Sequence, residues 1–192
     1  MVEGMRLFAE RGFRATSVGD IEEAAGLKPR RGGLYKHFPS KHDLLVEAVR
    51  SHIDAASVVA RRLDDLGVGS TPSLDRDRLA DLMVVVGRQF LDEMDRMEDL
   101  TRILEHDGAR VAELTAEVKS DVVDLSYRVA ADIISTVAPE TPDPQAHAVI
   151  LLGSLVALRR TAWTFGSAPA GIDDDRALQA WVQIALDSLL ER

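Results

Sequence analysis

Residues 16–44 read Thr-Ser-Val-Gly-Asp-Ile-Glu-Glu-Ala-Ala-Gly-Leu-Lys-Pro-Arg-Arg-Gly-Gly-Leu-Tyr-Lys-His-Phe-Pro-Ser-Lys-His-Asp-Leu. Thr16 and Ser17 offer an N-cap, and Val18, Ile21 and Ala25 form one face of a short helix that stops at Gly26. Pro29 to Phe38 is then a second, basic element. Ala24 and Ala25 are small where two helices would have to cross closely. Helix, glycine-containing turn and short basic helix together make a helix-turn-helix. In that arrangement the first helix braces and the second offers its N-terminal residues to base edges in the major groove.

Working outward, apolar residues recur at three- and four-residue steps, and no stretch alternates with period two. Val2, Met5 and Phe8 form a first stripe ending at Gly12. Ser40 and Asp43 resemble a capping box that opens a long helix carrying Leu45, Val49, His52, Ala56, Val59 and Leu63. Gly67 to Ser73 is the clearest break in the chain. One long helix is expected over Leu79, Leu82, Met83, Val86, Phe90, Met94 and Met97, and another, after Gly108, over Val111 to Ile133. Pro139 to Pro144 is a turn. A helix over Val149 to Leu158 ends near Gly166, and Asp173 to Asp175 supply acids to the start of the last one. The expected fold class is all-α.

The formal net charge is -9, which by itself argues against a nucleic-acid partner. The way the charge is distributed argues the opposite. Residues 1–50 carry nine Lys/Arg against seven Asp/Glu, whereas residues 51–192 carry fourteen against twenty-five. No acid occurs between Glu23 and Asp43, where Lys28, Arg30, Arg31, Lys36 and Lys41 all fall. An acidic body with one compact basic patch can orient itself on a polyanion. Cysteine is absent, which rules out a disulfide framework and a thiolate zinc site. The first residues lack the pattern of a signal peptide. The longest uncharged apolar run, Ala146 to Leu158, is too short to span a bilayer. No membrane partner is expected, and the expected compartment is the cytoplasm.

The blocks Leu7-Phe8-Ala9-Glu10-Arg11-Gly12-Phe13, Thr16-Ser17-Val18, Asp20-Ile21, Ala24-Ala25-Gly26-Leu27 and Leu34-Tyr35-Lys36-His37-Phe38-Pro39-Ser40-Lys41 resemble, in order, the DNA-binding domain of the TetR family. The resemblance covers about the first quarter of the chain. It implies a three-helix DNA-binding domain over residues 1–45, joined by a long helix to a helical ligand-binding and dimerisation domain over 46–192. It also implies that Lys28 to Gly33 read bases, with Arg30 and Arg31 suited to bidentate contact with guanine. Tyr35, His37 and Lys41 match positions that meet phosphates, Lys36 extends the same basic surface, and Thr16 or Ser17 meets the DNA backbone. Two features depart from the pattern. The spacing from the turn glycine to Tyr35 is two residues longer than usual, and Gly32-Gly33 weaken a helix by ~1 kcal/mol each relative to alanine. The reading element is therefore expected to start late, near Gly33. The resemblance also implies further residues, often basic, ahead of the first helix.

The last two helices are apolar on nearly every side, and such helices need cover on more than one face. A second copy of the chain is the expected cover, through Leu152, Gly153, Val156, Trp181, Val182 and Leu189. Met83, Phe90, Met94, Leu125 and Trp163 are either plain core or the wall of a pocket for an apolar small molecule. His106 and His147 are polar anchors in that pocket or ordinary surface groups. Arg159 and Arg160 cap their helix, meet an acid across a dimer, or bind an anionic ligand. The histidines have no metal-ligand spacing, and no nucleophile elbow, phosphate loop or paired carboxylate stands out. No enzyme activity, cofactor or metal is expected. The sequence reads as a ligand-responsive transcriptional regulator, a repressor released from a palindromic DNA operator by a small molecule. A helical carrier with an incidental basic N-terminus is the alternative.

Overall fold

The computed structural model describes residues 1–29, 32–65 and 75–190. The break at Gly67 to Ser73 and the stripe side chains Ala56, Val59 and Leu63 lie outside what is described. The described residues are helical with no strand: α1 (Val2–Arg11), α2 (Val18–Ala24), α3 (Lys41–Asp65), α4 (Arg76–Arg96), α5 (Glu98–Asp107), α6 (Ala112–Val118), α7 (Leu125–Val137), α8 (Pro144–Phe165) and α9 (Asp174–Leu190). The chain is all-α. Single turns of 3-10 helix lie at Leu34–Lys36, Gly108–Val111 and Pro169–Gly171, and a π-helical stretch at Lys119–Asp124 joins α6 to α7. The contacts divide the chain into two compact units, residues 1–57 with 97–122, and residues 58–96 with 123–192. This division differs from a cut at residue 45, because 97–122 packs with the N-terminal residues.

Helix ends follow local chemistry. Gly12 takes φ 81 and stops α1, with its N–H donating to the Phe8 carbonyl. Ser17 and Asp20 form a reciprocal capping box at the start of α2 (Asp20 N–H to Ser17 Oγ 3.1 Å, Ser17 N–H to Asp20 Oδ2 2.7 Å). At α3 the Asp43 N–H donates to Ser40 Oγ at 3.2 Å, and the Ser40 hydroxyl donates to the Asp43 carboxylate at 2.6 Å. Asp143 caps α8, Pro144 occupies its first turn, and Gly166 ends it in the left-handed region at φ 75.

The helix expected over Leu79 to Met97 is α4, which ends at Arg96, and a further helix, α5, follows it directly. Met97 (φ -94, ψ 4) separates the two although no glycine or proline is near. The reason is tertiary. Leu79 and Leu91 of α4 belong to the core of the second unit, while Leu100 and Ile103 of α5 are wholly buried in that of the first. Glu98 and Asp99 in the first turn of α5 stabilise the new start.

The core of the first unit gathers Met5, Leu7 and Phe8 of α1, Ile21 of α2, Leu44, Leu45 and Val49 of α3, and Leu100, Ile103, Leu114 and Val118 from the 97–122 segment. In the second unit, α4 and α9 run antiparallel. Arg76 at the start of α4 pairs with Asp187 late in α9 at 2.5 Å, and Arg88 pairs with Asp175 at the start of α9. Between them Gly87 permits close approach: a Cβ there would lie 2.7 Å from Leu178 Cδ2 and 3.2 Å from Trp181 Cζ3. Trp181 is itself fixed, its indole N–H donating to the Leu151 carbonyl at 2.8 Å.

Arg159 resolves within the chain. Its guanidinium makes a bidentate pair with Asp174 (both 2.7 Å), and its Nε lies 3.0 Å from Asp95 Oδ1 without hydrogen-bond alignment. The side chain is only 10% exposed, so this cluster ties α4, α8 and α9. Hydrogen bonding to Arg159 holds the Asp174 carboxyl below its ordinary value.

Helix α8 also qualifies the reading of its apolar run. The helix extends over 22 residues and, by length and composition alone, is long and apolar enough to cross a membrane. One face nevertheless packs into the second unit through Ala148, Leu151, Leu152 and Leu155.

Gly87→Val should destabilise the second unit by ~1–3 kcal/mol, since the added methyls meet Trp181 and Leu178 with little room to shift. Thermal unfolding measures this. The depressed Asp174 contributes stability that is present above the ordinary aspartate value of about 3.9 and lost as pH falls through the still lower folded-state value. Asp174→Asn should therefore flatten the acid limb of the stability curve below about pH 4, as followed by circular dichroism.

Candidate nucleic-acid interface

The helix-turn-helix is built on a buried hinge between α1 and α2. Thr16 is fully buried, and its hydroxyl lies 3.0 Å from the carbonyls of both Leu7 and Gly12. The cap on α2 is therefore Ser17, which is exposed. Of the two residues expected at the DNA backbone, Ser17 reaches the surface and Thr16 does not.

The Phe13 peptide is gripped from both sides. Its N–H donates to Asp107 Oδ2 at the end of α5 (2.8 Å), and its carbonyl accepts from Lys41 Nζ (2.5 Å). The same ammonium donates to the Thr16 carbonyl at 2.7 Å and lies 4.2 Å from the centre of the Phe13 ring, an added cation–π attraction. Lys41, expected at a phosphate, instead spends its charge on the α1–α2 hinge.

After α2, Gly26 (φ 71) and Gly32 (φ 69) turn the chain. The reading element does start late. Its described part is one 3-10 turn, Leu34–Lys36, with Gly33 in helical geometry just before it. Leu34 is buried and anchors this turn in the core of the first unit. Leu34 O accepts from the N–H groups of both His37 and Phe38 at 2.9 Å, and Leu34 N–H donates to Glu22 Oε1 at 3.0 Å.

Lys28, Tyr35, Lys36 and His37 are all exposed, Tyr35 by 56%, and Gly33 is half-buried. Arg30 and Arg31, expected to read guanine, lie outside the described residues. What the structure brings together is thus a cationic and aromatic surface around one pinned turn. Such side chains can donate to phosphate oxygens and base edges.

Glu22 and Asp107 were not among the expected site residues. Glu22 does leave a trace in the sequence, because it follows Ile21 on the face shared with Val18 and Ala25, where an apolar residue is expected. Asp107 lies 94 positions from its partner, and no local pattern announces it.

The remaining expectations fall in the second unit. Met83 and Phe90 pack against its core, and Met94, Leu125 and Trp163 are half-buried. His147 Nδ1 lies 2.9 Å from the Asp143 carbonyl at the start of its own helix, and His106, in the first unit, is exposed. The expected dimer face needs correction. Leu152, Trp181, Val182 and Leu189 lie in the core of their own unit, where they pack against its other helices and offer little surface to a partner. Gly153 and Val156 are half-buried, and the large apolar residues of these two helices that face outward are Val149, Ile150, Phe165, Ile184 and Leu190.

Comparison with known proteins bears on the N-terminal residues first. Residues 1–48 match the model of the bacterial regulatory proteins of the tetR family. Over these residues the chain is similar to the tetR-type DNA-binding domain. A stretch of 69 residues, 36% of this chain, is 42% identical to the HTH-type transcriptional repressor KstR2 of Rhodococcus jostii and spans 33% of that protein. The curated relatives are thus matched over about a third of their length or less. The solved ketosteroid transcriptional regulator KstR2 of Mycobacterium tuberculosis superposes with a TM-score of 0.64 at 21% identity, covering 100% of this chain and 93% of that one. The TetR-family regulator PfmR of Thermus thermophilus gives 0.57 at 19%, with 99% and 97% covered. These two likenesses establish the common fold, an N-terminal helix-turn-helix followed by a helical domain.

The grip on Phe13 makes a prediction about the N-terminal head. Lys41→Met should lower its stability by ~1–3 kcal/mol, because two partly buried carbonyls lose a charged donor. It should leave the salt dependence of DNA retention unchanged when measured well below the melting temperature. A slope reduced by about one would instead place Lys41 on a phosphate.

Proposed function

We propose that this chain is a ligand-responsive transcriptional regulator, a repressor that holds a palindromic operator as a homodimer and releases it when a small molecule binds the helical body. The observation that carries this reading is the exposed group of Lys28, Tyr35, Lys36 and His37 around a turn anchored by Leu34, within a head that matches the TetR family. Arg30 and Arg31 complete the set as the residues proposed to read bases.

Dimerisation is supported by the outward apolar surface of the last two helices. Val149 and Ile150 of α8 are 50% and 72% exposed, and Ile184 of α9 is 63% exposed. Nothing lies within 4 Å of a Cβ built on Gly153, which leaves that stretch open to a closely packed partner. A second copy fits this surface best, because two-fold symmetry presents one patch to itself and matches a palindromic site.

The effector is proposed to be apolar. The support is the stripe of Met83, Phe90 and Met94 on α4, which with Leu125 and Trp163 is only half-buried. The Mycobacterium tuberculosis relative is described as a ketosteroid regulator, so hydrophobic polycyclic compounds are a sensible first panel.

Ile150→Glu with Ile184→Glu should give a folded monomer by light scattering, and its retention of an operator duplex should fall at least ~100-fold as the second half-site is lost. A wild-type monomer at micromolar concentration would refute the dimer. DNA selection from a randomised duplex library tests the regulator itself. A carrier with an incidental basic patch would enrich no sequence.

A further inference from the structure

We propose that Glu22 is the positioning residue of the DNA-reading element, fixing from inside the protein the register in which Tyr35, Lys36 and His37 meet DNA. This rests on the regulator reading above. Glu22 is 1% exposed, on the face of α2 that otherwise carries Val18 and Ile21 into the core. Burying a carboxylate is costly, and a side chain serving the core alone would be apolar. What a carboxylate adds is direction. Its Oε1 accepts the N–H of Leu34, twelve positions on, at 3.0 Å in a buried setting.

Leu34 is the residue on which the element hangs. Its side chain is in the core, and its carbonyl accepts from both His37 and Phe38. With its N–H held by Glu22, both ends of the residue are fixed. Just upstream, Gly32 takes φ 69, which no helix can include, and Gly33 follows it directly, so no helical turn before Leu34 runs into it. A full recognition helix would locate its first turn through its own hydrogen bonds. This element has one 3-10 turn, and the carboxylate of the bracing helix takes over that task. Glu22 cannot strengthen DNA binding by attraction, since its charge opposes a polyanion. Its contribution is therefore to discrimination between sequences and not to affinity for DNA in general.

The test uses the full chain as wild type, Glu22→Ala and Glu22→Gln. The probes are the duplex that wild type selects from a randomised library and a scrambled duplex of equal composition. Glu22→Ala should lower the selected-to-scrambled affinity ratio by roughly tenfold or more. Retention on the scrambled duplex should stay within about twofold. Glu22→Gln keeps an amide oxygen for Leu34 and should restore most of the ratio. Amide exchange at Leu34, His37 and Phe38, measured without DNA, should quicken in the alanine variant and return in the glutamine variant. The proposal is overturned if alanine leaves the ratio intact, if it weakens both duplexes equally, or if glutamine fails as alanine does. If wild type enriches no sequence, the regulator reading falls. The exchange measurement then decides alone, with unchanged exchange at Leu34 in Glu22→Ala overturning the positioning role and rescue by glutamine sustaining it.

Discussion

A three-residue turn at Leu34–Lys36 closes too few hydrogen bonds to keep its shape in water, because the cost of fixing the first turn is recovered only as a helix lengthens. The head of this protein is arranged around that constraint. Side chains from elsewhere supply what the turn lacks: Glu22 takes the Leu34 N–H, and the Leu34 side chain enters the core. The hinge behind the bracing helix is held in the same manner. Thr16 lies against two carbonyls from inside, Lys41 ties the Phe13 and Thr16 carbonyls, and Asp107 takes the Phe13 N–H. These partners are 9 to 94 positions apart or, in one case, a single turn away, so the head is rigid only when its whole core is assembled. A short reading element therefore demands a large brace, which is why residues 97–122 fold together with the N-terminal helices.

The second unit answers a different constraint. Its helices are long, and each can hold its own backbone, so close packing and charge pairing set the geometry. Gly87 lets α4 approach Leu178 and Trp181 of α9, while Arg76–Asp187 and Arg88–Asp175 fix the antiparallel register. The last two pairs are largely exposed and contribute little energy each. The Arg159 cluster differs because the guanidinium is nearly buried, and removing Asp174 would take away both of its hydrogen bonds and leave only the Asp95 contact.

Where the sequence was legible, the cause was local chemistry. Gly12, Gly26 and Gly166 stop helices, Asp143 with Pro144 and Asp173 start them, and all of these act within one turn. The blocks from Leu7 to Lys41 likewise announce the helix-turn-helix and its late reading element. Three features could not be read in this way. Apolar spacing does not show that one helix stops at Arg96 and another starts at Glu98, since Leu79 and Leu91 serve one core and Leu100 and Ile103 the other. Helices α8 and α9 show apolar residues all round, but only packing decides that Trp181 and Val182 turn inward and Ile184 outward. Lys41 reads as a phosphate ligand because its charge is evident in the sequence and its carbonyl partners are not.

Under the proposed function, ligand binding can alter DNA affinity only as far as the ligand distinguishes two arrangements of the chain. The covalent path between the units limits where those arrangements can differ. The chain leaves the first unit within α3, returns to it where α4 gives way to α5 at Met97, and leaves again at the π-helical stretch before α7. Two of these three crossings are breaks in helical regularity. A continuous α-helix transmits displacement along its axis, whereas a change of helical period at Lys119–Asp124 or the non-helical Met97 can absorb rotation at low cost. The segment between the second and third crossings contains Asp107, whose carboxylate holds the Phe13 N–H. The hinge of the DNA-reading head is thus tied, through one hydrogen bond, to the segment of the head that is flanked on both sides by the body.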